Sequence, residues 1–540
     1  MQGQMMHMPL RIIEILRYAA ETHEGAGIVS VRCEGDIHRE SYAQAYARAA
    51  QLAHGLAGLG IGAGDRVATL AWNGYRHVEL YYGISGMGAV CHTINPRLSA
   101  EQMLYILTHA EDRLLFLDLT FVPLVEALGA QLPEGLRLVV MTDRAHMPDS
   151  ALDLLCYEDL LAGQPETFDW PGMDETAAAS LCYTSGTTGH PKGALYSHRS
   201  TVLHALFLSI TIARSLHEGA RILPVVPMFH VNAWGLPYAA PLVGASLVMP
   251  GPKLDGAALH DLMETEVVTA SWGVPTVWLG LRAEIETRDR TPATLDQLVI
   301  GGSAAPRSMI AFFEGQGVDV CHARGMTEMS PVGTHAQLSK GMRVDADTAL
   351  GLKAKQGRRV FGVDLKIVGE DGAPLPHDGR AAGELYVRGN AVISGYFAND
   401  DSSAFDAEGW FGTGDVATID PEGFLSVQDR SKDLIKSGGE WISSIDLENI
   451  AMGHPAVANC AVIAIPHPKW EERPLLVVVP EGDARPTLDE MHDMMLEHMA
   501  KWQLPDAMEF VEALPLTATG KVSKLTLRRQ FEGYTLPDAG

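Results

Sequence analysis

The chain has 540 residues, room for about three to five compact units at roughly 100–200 residues each, which excludes a peptide hormone or a simple adaptor. Apolar residues make up 46% and charged residues 20%, with 54 glycines spread along the length, a globular composition that excludes disorder and collagen. Lys and Arg number 41 against 67 Asp and Glu, and the formal charge of −26 excludes sequence-wide nucleic-acid binding while leaving room for a local basic site.

Met1 to Ala20 carries Arg11, Glu14 and Arg17 inside its apolar pattern, so it reads as a first amphipathic helix and not as a secretion signal. Tyr42 to Leu59 places Ala and Leu at helical spacing, Asp65 to Trp72 is a short apolar strand, and His77 to Gly88 returns to helix. Short apolar runs recur at Leu114 to Leu117, Leu138 to Met141, Leu247 to Met249 and Leu298 to Ile300. Strands alternating with helices predict layered α/β subdomains with parallel sheets. Ile222 to Pro252 is free of charge, but its six prolines interrupt any continuous helix, which predicts strand, loop and strand in a core and no membrane span.

After Gly351 the texture changes to short alternating runs, Asp364 to Val368 and Gly383 to Val387 among them, with a strand-turn-strand at Gly409 to Asp429. This predicts a small β-barrel-like subdomain over about 352–430. The charged stretch Asp429 to Ile435 reads as a linker joining a large N-terminal domain, 1–430, to a small mobile α+β C-terminal domain, 431–540, with the hinge near Lys432. In the last hundred or so residues we expect helices near Ile445 to Met452 and Leu488 to His498, and strands at Val457 to Ile465, Leu475 to Val479 and Glu509 to Val511. The six cysteines lack CxxC or Cys/His spacing, which points to reduced thiols in a cytoplasmic protein and away from structural zinc.

Chemistry is densest at Tyr183 to Ser197, YTSGTTGHPKGALYS. Thr184, Ser185, Gly186, Thr187, Thr188, Gly189 and Lys192 make a loop of small donors ending in a cation, suited to gripping an oligophosphate. It departs from the common nucleotide loop because Pro191 precedes Lys192 and Gly193 follows it. Further along come GMTE at Gly325 to Glu328, TGD at Thr413 to Asp415, DRSKDL at Asp429 to Leu434 and LTATGK at Leu516 to Lys521.

In this order the motifs resemble those of the adenylate-forming (ANL) superfamily, which includes the acyl-CoA synthetases. The resemblance implies that ATP and a carboxylic acid give acyl-AMP and pyrophosphate, after which coenzyme A takes the acyl group and AMP leaves. It assigns the loop and Lys192 to the phosphates, and Gly302, Ser303, Ala304, Arg324, Gly325, Met326 and Thr327 to the adenine edge. Asp415 and Arg430 fall to the ribose or phosphate, and Thr184 and Glu328 to Mg²⁺. Lys521 becomes the catalytic cation of adenylation, with His230, Thr184 and Glu328 beside it. PMFHVNAWGLPY, from Pro227 to Tyr238, brings His230, Val231, Trp234 and Gly235 to the acyl substrate, together with Val274, Pro275 and Gly301; Trp234 matches a gate tryptophan of the fatty acyl branch.

Lys432 matches the pivot, and KSGGEWISS assigns Lys436, Ser437, Gly438, Gly439 and Trp441 to cofactor binding. FHVNAWGLPY, KSGGEWISS and HPKWEERP (His467 to Pro474) resemble most the medium-chain fatty acyl and 3-methylmercaptopropionate-CoA ligases; the latter subfamily is the specific expectation, with a homodimer. The chain departs from the family at two positions. Arg324 stands where an aromatic residue usually stacks on adenine, and Ala391 stands where many fatty acyl-CoA synthetases carry tryptophan, a position expected to meet the C-terminal domain. A non-catalytic acyl-adenylate binder should have lost its charged machinery, yet Lys192, Glu328, Asp415 and Lys521 are all present.

Overall fold

The structure is a computed structural model and describes residues 1, 3–184, 190–339, 341–438, 440–517 and 521–536. Ser185, Gly186, Thr187, Thr188 and Gly439, all expected at the site, lie outside the described residues.

Among the described residues the strands form four sheets. A seven-stranded sheet runs Leu154–Cys156, Arg137–Val140, Leu114–Leu117, Arg66–Leu70, Val90–Thr93, Ala178–Tyr183, Gly193–Ser197, parallel except for the last pair. A nine-stranded sheet runs Arg358–Arg359, Val332–His335, Asp319–Gly325, Gln297–Ile300, Ala270–Gly273, Arg221–Pro224, Ser246–Met249, Gly27–Val31, Ile37–Ser41, with a parallel centre and antiparallel ends. Parallel strands bury both faces and need helical crossovers. Accordingly one large core joins both sheets through the helices Ile12–Thr22, Tyr42–Gly58, Tyr75–Gly86, His198–Thr211 and Leu236–Val243, while two smaller cores cover the outer faces.

The first helix begins at Ile12, later than the expected run from Met1. Pro9 disfavours helical geometry before it, and the helix start is fixed from outside, where the Ile12 N–H donates to His198 Nδ1 at 3.2 Å. A second departure is the helix Leu236–Val243 inside the expected strand-loop-strand. Pro237 sits in its first turn, where a missing N–H costs nothing. Pro241 deprives the Pro237 carbonyl of its intrahelical donor, and the Tyr82 hydroxyl donates to that carbonyl at 2.8 Å instead.

The β-rich segment is an antiparallel sheet of four strands in chain order, Val363–Val368, Gly383–Gly389, Phe411–Ile419 and Leu425–Arg430, an open form of the small unit expected there. The small C-terminal domain is built on Val457–His467 and Glu471–Pro480, flanked by the hairpin Ile435–Ser437/Glu440–Ile442 and by Ala507–Phe510, with a core on each face.

Candidate active site

A cavity of about 620 Å³ lies between the two domains. Thr184, Lys192, His230, Val231, Trp234, Pro275, Gly302, Ser303, Ala304, Arg324, Gly325, Met326, Thr327, Glu328, Asp415, Arg430, Lys432 and Lys521 all line it. Residues that are distant in the chain thus meet around one space.

Strand register places one group of charges in the cavity. Asp415 and Arg430 are cross-strand partners, and Arg430 Nε lies 3.0 Å from Asp415 Oδ1. Arg324, from the end of Asp319–Gly325, pairs with the other oxygen, Asp415 Oδ2. Burial alone would raise the Asp415 pKa, but Arg324 and Arg430 outweigh it and hold the carboxylate below its usual range. Arg324 is therefore engaged with the carboxylate across the site and not presented as a free stacking plane.

Glu328 sits in the short turn Thr327–Met329 and is buried. Burial raises its pKa, against which the Tyr396 hydroxyl donates to Oε1 at 2.9 Å. Lys192 Nζ lies 5.0 Å from the centre of the same Tyr396 ring and 3.4 Å from Asp401 Oδ2. Tyr396 therefore connects Lys192 to Glu328. Sequence reasoning missed it, because an aromatic residue in SGYF carries no spacing signal. Thr184 opens the loop, its N–H bonded to the Lys192 carbonyl at 2.9 Å. The donors here are hard oxygens, and no cluster of three or more His, Cys, Asp or Glu that could hold a metal occurs among the described residues. This set fits Mg²⁺, which commonly takes one or two carboxylates and draws its other ligands from phosphates and water.

The cavity wall after His230 is a left-handed turn. Val231, Asn232, Ala233 and Trp234 have φ of 49°, 52°, 48° and 55°, a conformation costing about 1–2 kcal/mol per residue for L-amino acids. Gly235 continues it at φ 81°, where a Cβ would meet His204 Nδ1 at 2.8 Å. The Trp234 indole packs on Gly301 and Gly302; a Cβ at Gly301 would lie 2.9 Å from Trp234 Cη2, and one at Gly302 would lie 3.0 Å from Val274 Cγ1. Gly235, Gly301 and Val274 thus back the wall without lining the cavity.

Lys521 enters from the C-terminal domain, where the Thr517 N–H donates to the Lys521 carbonyl at 2.6 Å and the Lys521 N–H to Thr517 Oγ1 at 3.2 Å. Its Cε comes within 3.8 Å of where a Gly302 Cβ would stand. Enclosure, then Arg430, lower its pKa to about 8, with Asp415 opposing. His230 is lowered to about 3 by enclosure and by Lys521, so its imidazole is neutral.

Lys432 lines the cavity with its pKa lowered by burial. Beside it, Asp433 pairs with Arg528 at 2.7 Å and Lys524 with Glu448 at 2.8 Å, while Asp429 accepts the Ser444 N–H at 3.0 Å. None of these partners was anticipated as part of the site. Lys436, Ser437, Gly438 and Trp441 lie on the hairpin away from the cavity: Lys436 Nζ is 3.6 Å from Glu471, Ser437 Oγ accepts from Arg473 at 3.0 Å, and Trp441 is 48% exposed. A Cβ on Gly438 would meet Trp470 at 2.9 Å. Ala391 is 2% exposed, its carbonyl accepting from Ser330 Oγ at 2.8 Å, so it is packed within the large domain and does not line the cavity.

The fold and the convergence of these groups define an acyl-activating enzyme, and the comparisons agree. Residues 16–397 match the family model for AMP-binding enzymes, and residues 446–521 the model for the AMP-binding enzyme C-terminal domain. A 3-methylmercaptopropionyl-CoA ligase of Ruegeria pomeroyi is 50% identical over 534 residues, covering 98% of this chain and 99% of the relative. A medium-chain fatty acid–CoA ligase of Ectopseudomonas oleovorans is 48% identical, covering 98% of each chain. The crystal structure of an anthranilate-CoA ligase in complex with anthranoyl-AMP superposes with a TM-score of 0.86 at 26% identity, covering 97% of this chain and 98% of that one. The chain belongs to the AMP-binding enzyme family and is one of its AMP-forming acid–thiol ligases. Among the described residues no helix is long and apolar enough to cross a membrane.

Proposed function

We propose that the enzyme joins 3-methylmercaptopropionate to coenzyme A through an acyl-AMP intermediate. The observation that carries the reading is Lys521, delivered by the C-terminal domain into the cavity that holds His230, Glu328 and Asp415. The 50% identity with the 3-methylmercaptopropionyl-CoA ligase of Ruegeria pomeroyi, over almost the whole of both chains, supports the choice of acid.

In the first step a carboxylate oxygen attacks the α-phosphorus of ATP and the bond to pyrophosphate breaks. Two anions must approach each other, so the barrier is electrostatic. The Lys521 ammonium bridges them, and the neutral His230 orients the carboxyl end without adding a charge that would compete with Lys521. Asp415, kept ionised by Arg324 and Arg430, takes the ribose hydroxyls, and Arg430 serves the phosphate or ribose. Gly302 to Ala304 and Gly325 to Thr327 admit the adenine, and Lys192 with the loop from Thr184 grips the outer phosphates. Glu328 and Thr184 would hold Mg²⁺, which offsets phosphate charge when bound.

In the second step the thiol sulfur of coenzyme A bonds to the acyl carbon, AMP leaves, and the thiol proton passes to solvent. Lys521 has no part in this step, so residues 431–540 turn about Lys432 and bring the hairpin with Lys436, Ser437, Gly438, Gly439 and Trp441 to the cavity. Domain 1–430 stays in place. The same reading makes the protein a cytoplasmic homodimer, in keeping with six free cysteines; light scattering in solution measures the dimer. A panel of carboxylic acids followed by pyrophosphate release with coenzyme A present tests the activity. The largest kcat/KM should fall on 3-methylmercaptopropionate, and a preference for medium-chain fatty acids would transfer the assignment to the medium-chain ligases.

A further inference from the structure

The left-handed turn that presents His230 and Trp234 meets the strand Ala178–Tyr183 through the Asn232 side chain, and the Cys182 sulfur also faces the Val231 and Asn232 backbone N–H groups. Asn232, second in the turn, is 4% exposed. Its Nδ2 donates to Ser180 Oγ at 3.1 Å, and its Oδ1 accepts from Cys182 Sγ at 3.4 Å. Thr93 Oγ1 lies 3.4 Å from the same sulfur, on the neighbouring strand. Ser180 and Cys182 belong to Ala178–Tyr183, which leads directly into the loop that begins at Thr184. Within the turn, the Ala233 N–H donates to the Pro227 carbonyl at 3.2 Å and the Gly235 N–H to the Asn232 carbonyl at 3.0 Å.

Four successive non-glycine residues at positive φ persist only where surrounding contacts outweigh the local preference. Asparagine tolerates this region and also carries the donor and the acceptor that meet the strand. We infer that Asn232 is a positioning residue: through Ser180 and Cys182 it mounts the His230–Trp234 turn on the phosphate-loop strand, setting the carboxyl end of the acid against the nucleotide phosphates. This rests on the adenylation reading for its chemistry, but the mount itself does not depend on turnover. Asn232 does not line the cavity, whereas His230 and Trp234 do.

The test uses the full chain with Asn232→Gly and Ser180→Ala. The glycine variant accepts the left-handed backbone and lacks the anchor; the alanine variant keeps Asn232 and removes one partner. Two readouts are taken, hydrogen exchange at the Ala233 and Gly235 amides, and KM for the acid beside KM for ATP. We expect faster exchange in both variants and a rise of about tenfold in acid KM for Asn232→Gly, the scale of one lost buried hydrogen bond, with ATP KM within about twofold. Unchanged exchange overturns the mount, as does an Asn232→Gly enzyme with parental acid KM. A parent enzyme that releases pyrophosphate with no acid in the panel would instead sink the adenylation reading, and the exchange result would still decide the role of Asn232.

Discussion

Val231 to Trp234, which follow His230, are buried and held from behind by Ser180 and Cys182, whereas Lys521 reaches the same cavity from the C-terminal domain, bonded to Thr517, with Leu516 54% exposed. The first region gains accuracy from packing and hydrogen bonds inherited from a central strand. The second consists of few residues on a separate domain. A group needed throughout the reaction is best fixed to the sheet; one needed only for adenylation is best carried on a piece that can leave. The contrast teaches that pre-organisation is distributed by when a group acts.

The largest effect should come from removing the delivered charge. Lys521→Ala is expected to lower kcat for acyl-AMP formation by on the order of 10²–10³, while supplied acyl-AMP and coenzyme A still give acyl-CoA at near the parent rate. Equal loss in both steps, in a folded variant, would erase the distinction between fixed wall and carried charge. Lys432→Pro sharpens the same point, because a pivot with φ held near roughly −65° cannot serve two poses. Adenylation should survive and thioester formation should fail, read by pyrophosphate release beside acyl-CoA formation.

Acidity separates the two regions next. An ordinary lysine keeps its proton to about 10.4, but Lys521 is lowered to about 8 and loses the ammonium as pH rises through that value. In the free enzyme, kcat/KM for adenylation should therefore be flat below about 8 and fall about tenfold per unit above it. His230, at about 3, contributes no limb between pH 5 and 8; an acidic limb near 6.5 would mean that the wall histidine carries charge.

Smaller effects probe the surroundings. Tyr396→Phe leaves the buried Glu328 without its hydroxyl donor, a loss of about 1–3 kcal/mol, and should appear as a raised KM for Mg·ATP with little change in acid KM. Ala391→Trp forces a large ring into a position 2% exposed, and overpacking should cost about 1–3 kcal/mol of stability. A lower Tm with both half-reactions reduced alike is expected. An unchanged Tm with only the thioester step altered would place this position at the domain interface.

Local signals decided much of this protein. Short apolar runs marked the strands at Leu114 to Leu117, Leu298 to Ile300 and Val457 to Ile465 because burial acts residue by residue, and the motifs singled out Lys192, Glu328, Asp415, Arg430 and Lys521, which the structure gathers around one cavity. The helix Leu236–Val243 was hidden, since its tolerance of Pro241 depends on the hydroxyl of Tyr82, which is distant in the chain. Tyr396, the engagement of Arg324 with Asp415, and the left-handed turn anchored by Asn232 belong to tertiary structure alone. Each is a balance between a local cost and a partner supplied by a different segment, and no stretch of sequence contains both sides of that balance.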